Sequence, residues 1–181
     1  MSIVLGIARL AIGRADGFAA FGASPQAFLG SLAPLIAFAI VGAALVAVEG
    51  GGLEVLTGFL ATVCSLLAPP VLSQALARVW RREEQWLRYA TAFNWCQWTI
   101  PVAGAILLAV LDILLLAGLS ADAAGATLII GLGAYGLWLH WFLLWRGLDV
   151  SVWRAALGVL GINFATAMIL VGPQLLVWRG R

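Results

Sequence analysis

Between residues 99 and 119 the chain carries a single charged side chain, Asp112, in 21 positions. At 1.5 Å per residue such a run reaches across the roughly 30 Å hydrocarbon core of a bilayer. No water in that core pairs with backbone N–H and C=O groups, so the run must close its own hydrogen bonds as a helix. Four further runs follow the same rule, at 31–48, 55–77, 124–145 and 155–178, and all five are 18 to 24 residues long. The predicted fold class is all-α, a polytopic transmembrane helix bundle of five spans forming one membrane domain over 1–181. Composition argues against a soluble globule. Charged residues make up 10% of the chain and hydrophobic ones 64%, whereas soluble domains are about a quarter charged.

Residues 1–22 are expected to form an interfacial amphipathic helix. Ile3, Val4, Ile7, Leu10 and Ala11 recur at helical spacing, while Arg9, Arg14 and Asp16 keep the segment from crossing. A cleavable signal peptide is not expected, because Arg9 cuts the apolar stretch and no basic residue precedes it. Ser24-Pro25 reads as a helix start, with serine as N-cap and proline at the first helical position. Residues 49–54 read as an acidic turn. In the second span neither Pro69 nor Pro70 can donate an intrahelical bond, which predicts a break or sharp kink there. Ser65, Ser73 and Gln74 are the nearest groups to satisfy the freed carbonyls. Residues 89–98 form an amphipathic belt, expected to lie along the surface before the third span turns inward.

The arginines orient the bundle. Five spans separate the turns into two sets, and eight of the ten arginines fall on the side of the N-terminus: Arg9, Arg14, Arg78, Arg81, Arg82, Arg88, Arg146 and Arg154. By the positive-inside rule that side is the cytoplasm, and the protein is expected in a bacterial inner membrane. Most tryptophans, among them Trp80, Trp86, Trp95, Trp98, Trp141 and Trp145, gather near the same interface.

Few groups in the spans offer chemistry. Asp112 lies about seven residues from the end of its run, where a carboxylate costs about 3 kcal/mol to insert unless it meets a partner or water. Tyr135, Thr62 and Gln174 fall at a similar depth and are its expected hydrogen-bond partners. His140 shares its depth with Asn94, Gln97, Pro101 and the Pro69-Pro70 pair, and this region reads either as a small cavity or as interhelical hydrogen bonding. Asn163 completes the candidate polar set of Asp112, His140, Asn94, Gln97, Tyr135 and Asn163. A lone histidine without a matched second ligand gives no basis for haem or zinc, so no metal or cofactor is expected. Cys64 and Cys96 show no ligand spacing and read as packed thiols. Glu83-Glu84 among arginines reads as a solvated or docking face. Gly131, Gly133 and Gly136, with Gly158, Gly161 and Ala165, are expected to let the fourth and fifth spans pack closely.

Five spans, an amphipathic lead and the passage from Ser24-Pro25 through Pro34-Leu35 into the first span resemble a bacterial member of the Yip1-type membrane family. The resemblance implies a non-enzymatic protein of helix packing and partner binding, and it supplies no catalytic residues. No nucleophile with a base, paired carboxylates or phosphate loop is visible, so the chain is not expected to be an enzyme. The reading is a scaffold or accessory subunit of a membrane complex. Its partners would be the lipid bilayer and a membrane protein or a homo-oligomer, with no nucleic acid at a net charge of +2. The second reading is a small transporter or channel component using Pro69-Pro70, Asp112 and His140.

Overall fold

The computed structural model describes residues 1–48 and 52–178, with 53–54 and 172–178 as backbone alone. Of the acidic turn expected at 49–54, residues 49–51 lie outside the described residues, and 52–54 are already helical and not part of a turn. Each apolar run is helical, and no strand occurs among the described residues. The helices are α1 (Ile3–Ala11), α2 (Pro25–Val48), α3 (Gly52–Val79), α4 (Glu83–Cys96), α5 (Thr99–Leu116), α6 (Ala121–Gly147) and α7 (Val152–Trp178), with a short 3-10 helix at Ala15–Ala20. Five stretches are long and apolar enough to cross a membrane: α2, α3, the α4–α5 unit, α6 and α7. This fits a multi-pass membrane protein.

Serine side chains cap four of the helix starts, at Ser2, Ser24, Ser120 and Ser151. Ser24 Oγ accepts from the Ala27 N–H at 3.1 Å, as its position before Pro25 suggested. Ser120 Oγ does the same for Ala123 at 3.3 Å and starts α6. Four turns close with an N–H reaching back five residues: Arg14 to Arg9, Arg82 to Ala77, Leu119 to Leu114 and Val150 to Trp145. The residue before each of those donors is left-handed: Gly13 (φ +81°), Arg81 (+56°), Gly118 (+102°) and Asp149 (+49°). Glycine takes that conformation without strain, whereas Arg81 and Asp149 hold it at a cost of about 1 kcal/mol each. These two turns lie together, joined by Arg82 and Asp149 at 3.6 Å.

The helices form a layered bundle around α4. α3 packs on α2 and α7, α7 on α6, and α6 on α5, while α4 sits against α2, α3 and α6 with α1 beside it. Packing is concentrated at the end that carries the N-terminus and the α3–α4 and α6–α7 turns, here the proximal half. Its core joins Leu10, Phe18 and Phe21 to Tyr89, Phe93 and Cys96 of α4, to Leu139, Phe142, Leu143 and Leu144 of α6 with Leu148 just after it, and to Ala155 and Val159 of α7. Toward the α2–α3 and α5–α6 turns, the distal half, large apolar side chains such as Leu45, Leu60, Ile113, Leu116 and Ile130 are exposed. In a bilayer those side chains meet lipid or another protein.

The structure changes several expectations. Residues 1–22 are not one interfacial helix: α1 folds back on the 3-10 helix and buries Gly6, Leu10, Gly17 and Phe18. Gly6 and Gly17 make this possible, because a Cβ on Gly17 would lie 2.7 Å from the Gly6 oxygen. α4 is the centre of the proximal core and does not lie on the surface, with Tyr89 to Asn94 and Cys96 all buried. The Pro69-Pro70 break is absent, since α3 is helical from Gly52 to Val79. Proline's fixed φ suits a helix, so only the two missing N–H groups and ring contacts oppose continuity. Ser65 and Ser73 donate to Thr62 O (2.8 Å) and Pro70 O (3.0 Å), not to the carbonyls the prolines free. The interruption falls instead at Gln97–Trp98, between α4 and α5. There Trp98 N–H reaches Trp95 O and Ile100 N–H reaches Gln97 O, both at 3.3 Å, a tighter winding than the α-helix. Pro101 follows in the first turn of α5, where its missing N–H costs little.

The expected glycine seam is also redistributed. Gly131 and Gly136 of α6 face Leu107 and Ile100 of α5, not α7. Gly158 does meet α6, at Leu144, and also Trp80 and Leu76 at the end of α3. Beside Gly133 and Gly161 a Cβ would meet nothing within 4 Å.

Candidate functional site

Three of the six candidate polar residues come together. Gln97, at the α4–α5 joint, places its Nε2 3.3 Å from His140 Nε2 on α6. The two side chains share one hydrogen bond, whose direction follows the tautomer of the ring. The Asn163 side chain on α7 stands beside the same ring. Asn163 Nδ2 donates in turn to Val159 O at 2.8 Å. The result is a polar cluster where the α4–α5 joint, α6 and α7 meet, with Phe93 packed on the imidazole at 4.8 Å between ring centres.

Asn94 belongs to a different link. Its Nδ2 donates to Ser31 Oγ at 2.9 Å, and that hydroxyl donates to Phe28 O at 2.6 Å. Both side chains are at most 1% exposed, so this pair fastens α2 to α4 in the dry interior. Ser73 plays the same part for α3, accepting from Trp86 Nε1 at 3.2 Å. Tyr135 donates to Ala11 O at 3.2 Å and so pins the end of α1 to α6.

Asp112 stands apart from all of these. Tyr135 is occupied by α1, Thr62 donates to Gly58 O at 2.9 Å, and the Gln174 side chain lies outside the described residues. Asp112 is exposed and makes no hydrogen bond or ion pair among the described residues. α5 ends at Leu116, not at residue 119, so Asp112 is one turn from the distal end of its helix. It lies fifteen residues beyond Gln97, about 22 Å along the helix. The polar set is therefore not one site. It is a set of interhelical fasteners in the proximal half plus one unpaired carboxylate in the distal half.

The feature that sequence reasoning missed is a groove. A cavity of about 550 Å³ opens between α2 and α3 above the α4–α5 joint. One wall is the α2 face of Leu35, Phe38, Ala39, Gly42, Ala43 and Val46, at the i, i+3, i+4, i+7 spacing of a helix. The other is the α3 face of Val55, Gly58, Phe59 and Thr62. Gln97, Trp98 and Pro101 make the floor, and Phe38 meets Trp98 edge-on with ring centres 4.7 Å apart. The lining is mostly apolar, with small residues at Ala39, Gly42, Ala43 and Gly58. A Cβ at Gly42 or Gly58 would meet nothing within 4 Å, so no close approach inside the chain calls for either glycine. The signal in the sequence was the run of small residues at 39, 42 and 43, hidden among many others of its kind.

A second cleft, polar and of about 540 Å³, lies at the proximal face between Glu84 and Arg88 of α4, Arg146 in the last turn of α6 and Asp149 just beyond it. It holds both signs of charge, as a solvated face does. Among the described residues no group of three His, Cys, Asp or Glu is placed to hold a metal ion, and both cysteines are free.

The fold and these features define a class, a five-span α-helical membrane bundle with a packed proximal half and a grooved distal half. Comparison with protein-family models, with curated proteins and with solved structures gave no match.

Proposed function

We propose that the chain is a non-enzymatic scaffold or accessory subunit of a membrane complex, and that it works by binding a transmembrane helix in the groove between α2 and α3. The observation that carries this reading is the pair of glycines, Gly42 and Gly58, facing open space. Each weakens its own helix by about 1 kcal/mol relative to alanine, and small residues at a helix surface are what let a second backbone approach closely in lipid. The helix-packing and partner-binding role that the Yip1-type resemblance implies agrees with it, and that family membership is part of the proposal. A transport reading finds less support, because Asp112 and His140 are well separated along the bundle.

Filling the groove tests the reading. Gly42→Leu and Gly58→Leu should leave the folded chain as stable as before, since a side chain at either site enters open space. Membranes solubilised in mild detergent and run on a native gel should show the wild type in an assembly larger than the monomer, and both variants as monomers. A wild type that migrates as a monomer refutes it.

The proposal includes a bacterial inner membrane and a cytoplasmic N-terminus, on the strength of the arginine distribution. In a Cys64→Ser background, cysteines placed at Gln85 and Asp149 should react with an impermeant thiol reagent only from the cytoplasmic side, and one at Asp122 only from the other. Labelling of position 122 from the cytoplasm reverses the orientation.

A further inference from the structure

We infer that the polar cleft at the proximal face binds the headgroup of a zwitterionic phospholipid, a phosphate joined to a primary ammonium, as in phosphatidylethanolamine. This site is separate from the groove between α2 and α3 and does not depend on it. Both signs of charge alone describe a solvated face. Here, however, opposite charges stand ready to pair and do not. Glu84 and Arg88 are four residues apart on α4 with the acid first, the order and spacing that favour an ion pair. Among the described residues they form none, and neither does Arg146. Arg146 is held over the Trp145 ring, 5.0 Å from its centre. Asp149 meets Arg82 at 3.6 Å, longer than a charge-assisted hydrogen bond, and its side chain stays 81% exposed. All four line one volume of about 540 Å³, within the roughly 300–1,000 Å³ of small-ligand clefts.

The core fixes the shape of this cleft. A Cβ on Gly147 would lie 2.8 Å from Tyr89 and 3.0 Å from Phe18. Glycine there lets α4, α6 and the 3-10 helix close together, and so sets where their charged residues stand. At the edge Asp149 holds its left-handed backbone (φ +49°), and strain of that kind gathers at binding sites. Depth selects a lipid. From Asp122 to Arg146, α6 climbs about 36 Å, against a hydrocarbon core of roughly 30 Å in a bilayer of about 40–45 Å. Its charged ends therefore stand in the headgroup layers. Below the cleft the surface turns apolar. Trp138 is seven residues from Trp145, on the same face of α6, and packs beside Gly13. Trp138 and Ile12 are exposed and give a lipid tail a surface to follow. Charge selects the headgroup. The two arginines suit a phosphate and the two carboxylates an ammonium. The four charges sum to zero, which leaves no excess to attract an anionic lipid. A choline has no N–H to donate to a carboxylate. The Trp145 ring, which can bind a quaternary ammonium, is already covered by Arg146 and Trp141.

The test uses the full chain in mild detergent, mixed with dioleoyl phosphatidylethanolamine, phosphatidylcholine or phosphatidylglycerol. Bound lipid is counted by native mass spectrometry. One phosphatidylethanolamine should be retained, about tenfold more tightly than either of the others. Arg146→Gln should weaken its binding about tenfold and remove the preference. Glu84→Gln leaves the lining with a net positive charge, so it should favour phosphatidylglycerol instead. Arg154→Gln, outside the cleft, should change nothing. Equal retention of the three lipids, a wild-type preference for phosphatidylglycerol, or a phosphatidylethanolamine preference that survives Arg146→Gln or Glu84→Gln overturns the inference. Glycerophosphoethanolamine, which lacks the tails, should fail to displace the lipid at about hundredfold excess. Displacement at that excess assigns the cleft to a soluble zwitterion and likewise overturns the inference.

Discussion

Gly158→Leu is expected to lower the stability of the bundle by about 3 kcal/mol or more, the upper range for overpacking a filled interior. Gly158 is where α7 meets two helices at once. A Cβ there would lie 2.7 Å from Leu144 Cδ2 of α6 and 2.9 Å from Trp80, at the end of α3. Leu144 is fully buried and cannot withdraw, so a larger residue must push α7 away from the core that includes Ala155 and Val159. Gly158→Ala should already cost about 1–3 kcal/mol. Gly161, nearly one turn on, faces open space. Gly161→Ala should therefore be neutral or stabilising by up to about 1 kcal/mol, the gain in helix propensity. Reversible unfolding in mixed micelles of a mild detergent and dodecyl sulfate reads both changes. Equal effects at 158 and 161 would mean that α7 does not pack as described.

Ser31→Ala should cost about 1–3 kcal/mol, although it deletes one oxygen, because it leaves the buried Asn94 amide without its acceptor. Asn94→Leu removes the amide itself. Ser31 then still donates to Phe28 O, so the loss is the interhelical bond and whatever strain the branched side chain adds. The double variant should be more stable than the sum of the two single changes predicts, since the second change removes the group that the first one orphaned. Additive losses in the same unfolding assay would show that the α2–α4 link is not a coupled pair.

These predictions fall at places the sequence described unevenly. The five spans were legible because twenty consecutive apolar residues have one solution in lipid. The Ser24 cap was legible because capping depends on local chemistry alone. The role of α4 was not. Tyr89, Asn94 and Trp95 have the composition of a membrane interface, and only the arrangement of α2, α3 and α6 around them makes that stretch a core. Its polar groups are paired across helices, Asn94 to Ser31, or back onto their own helix, as Thr91 Oγ1 to Leu87 O at 2.7 Å, and pairing across helices leaves no local trace. The double proline misleads for a related reason. Two missing donors are a local fact, but continuity depends on what surrounds the helix. Depth along the spans grouped His140 with Gln97, which the structure joins, and with Asn94, which it pairs with Ser31 instead. It did not place Asp112, because depth says nothing about the face of a helix on which a residue stands.

The central claim is that the distal groove of α2 and α3 holds a protein helix while the outer face of α6 meets lipid. Photocrosslinking in native membranes tests it directly, with a benzophenone amino acid placed at Val46 on the groove rim or at Ile130 on α6. Both positions are exposed, at 51% and 69%, so both reagents are free to react. The account predicts one discrete protein adduct from position 46, lost in Gly58→Leu, and lipid adducts alone from position 130. Lipid adducts alone from both positions would contradict it.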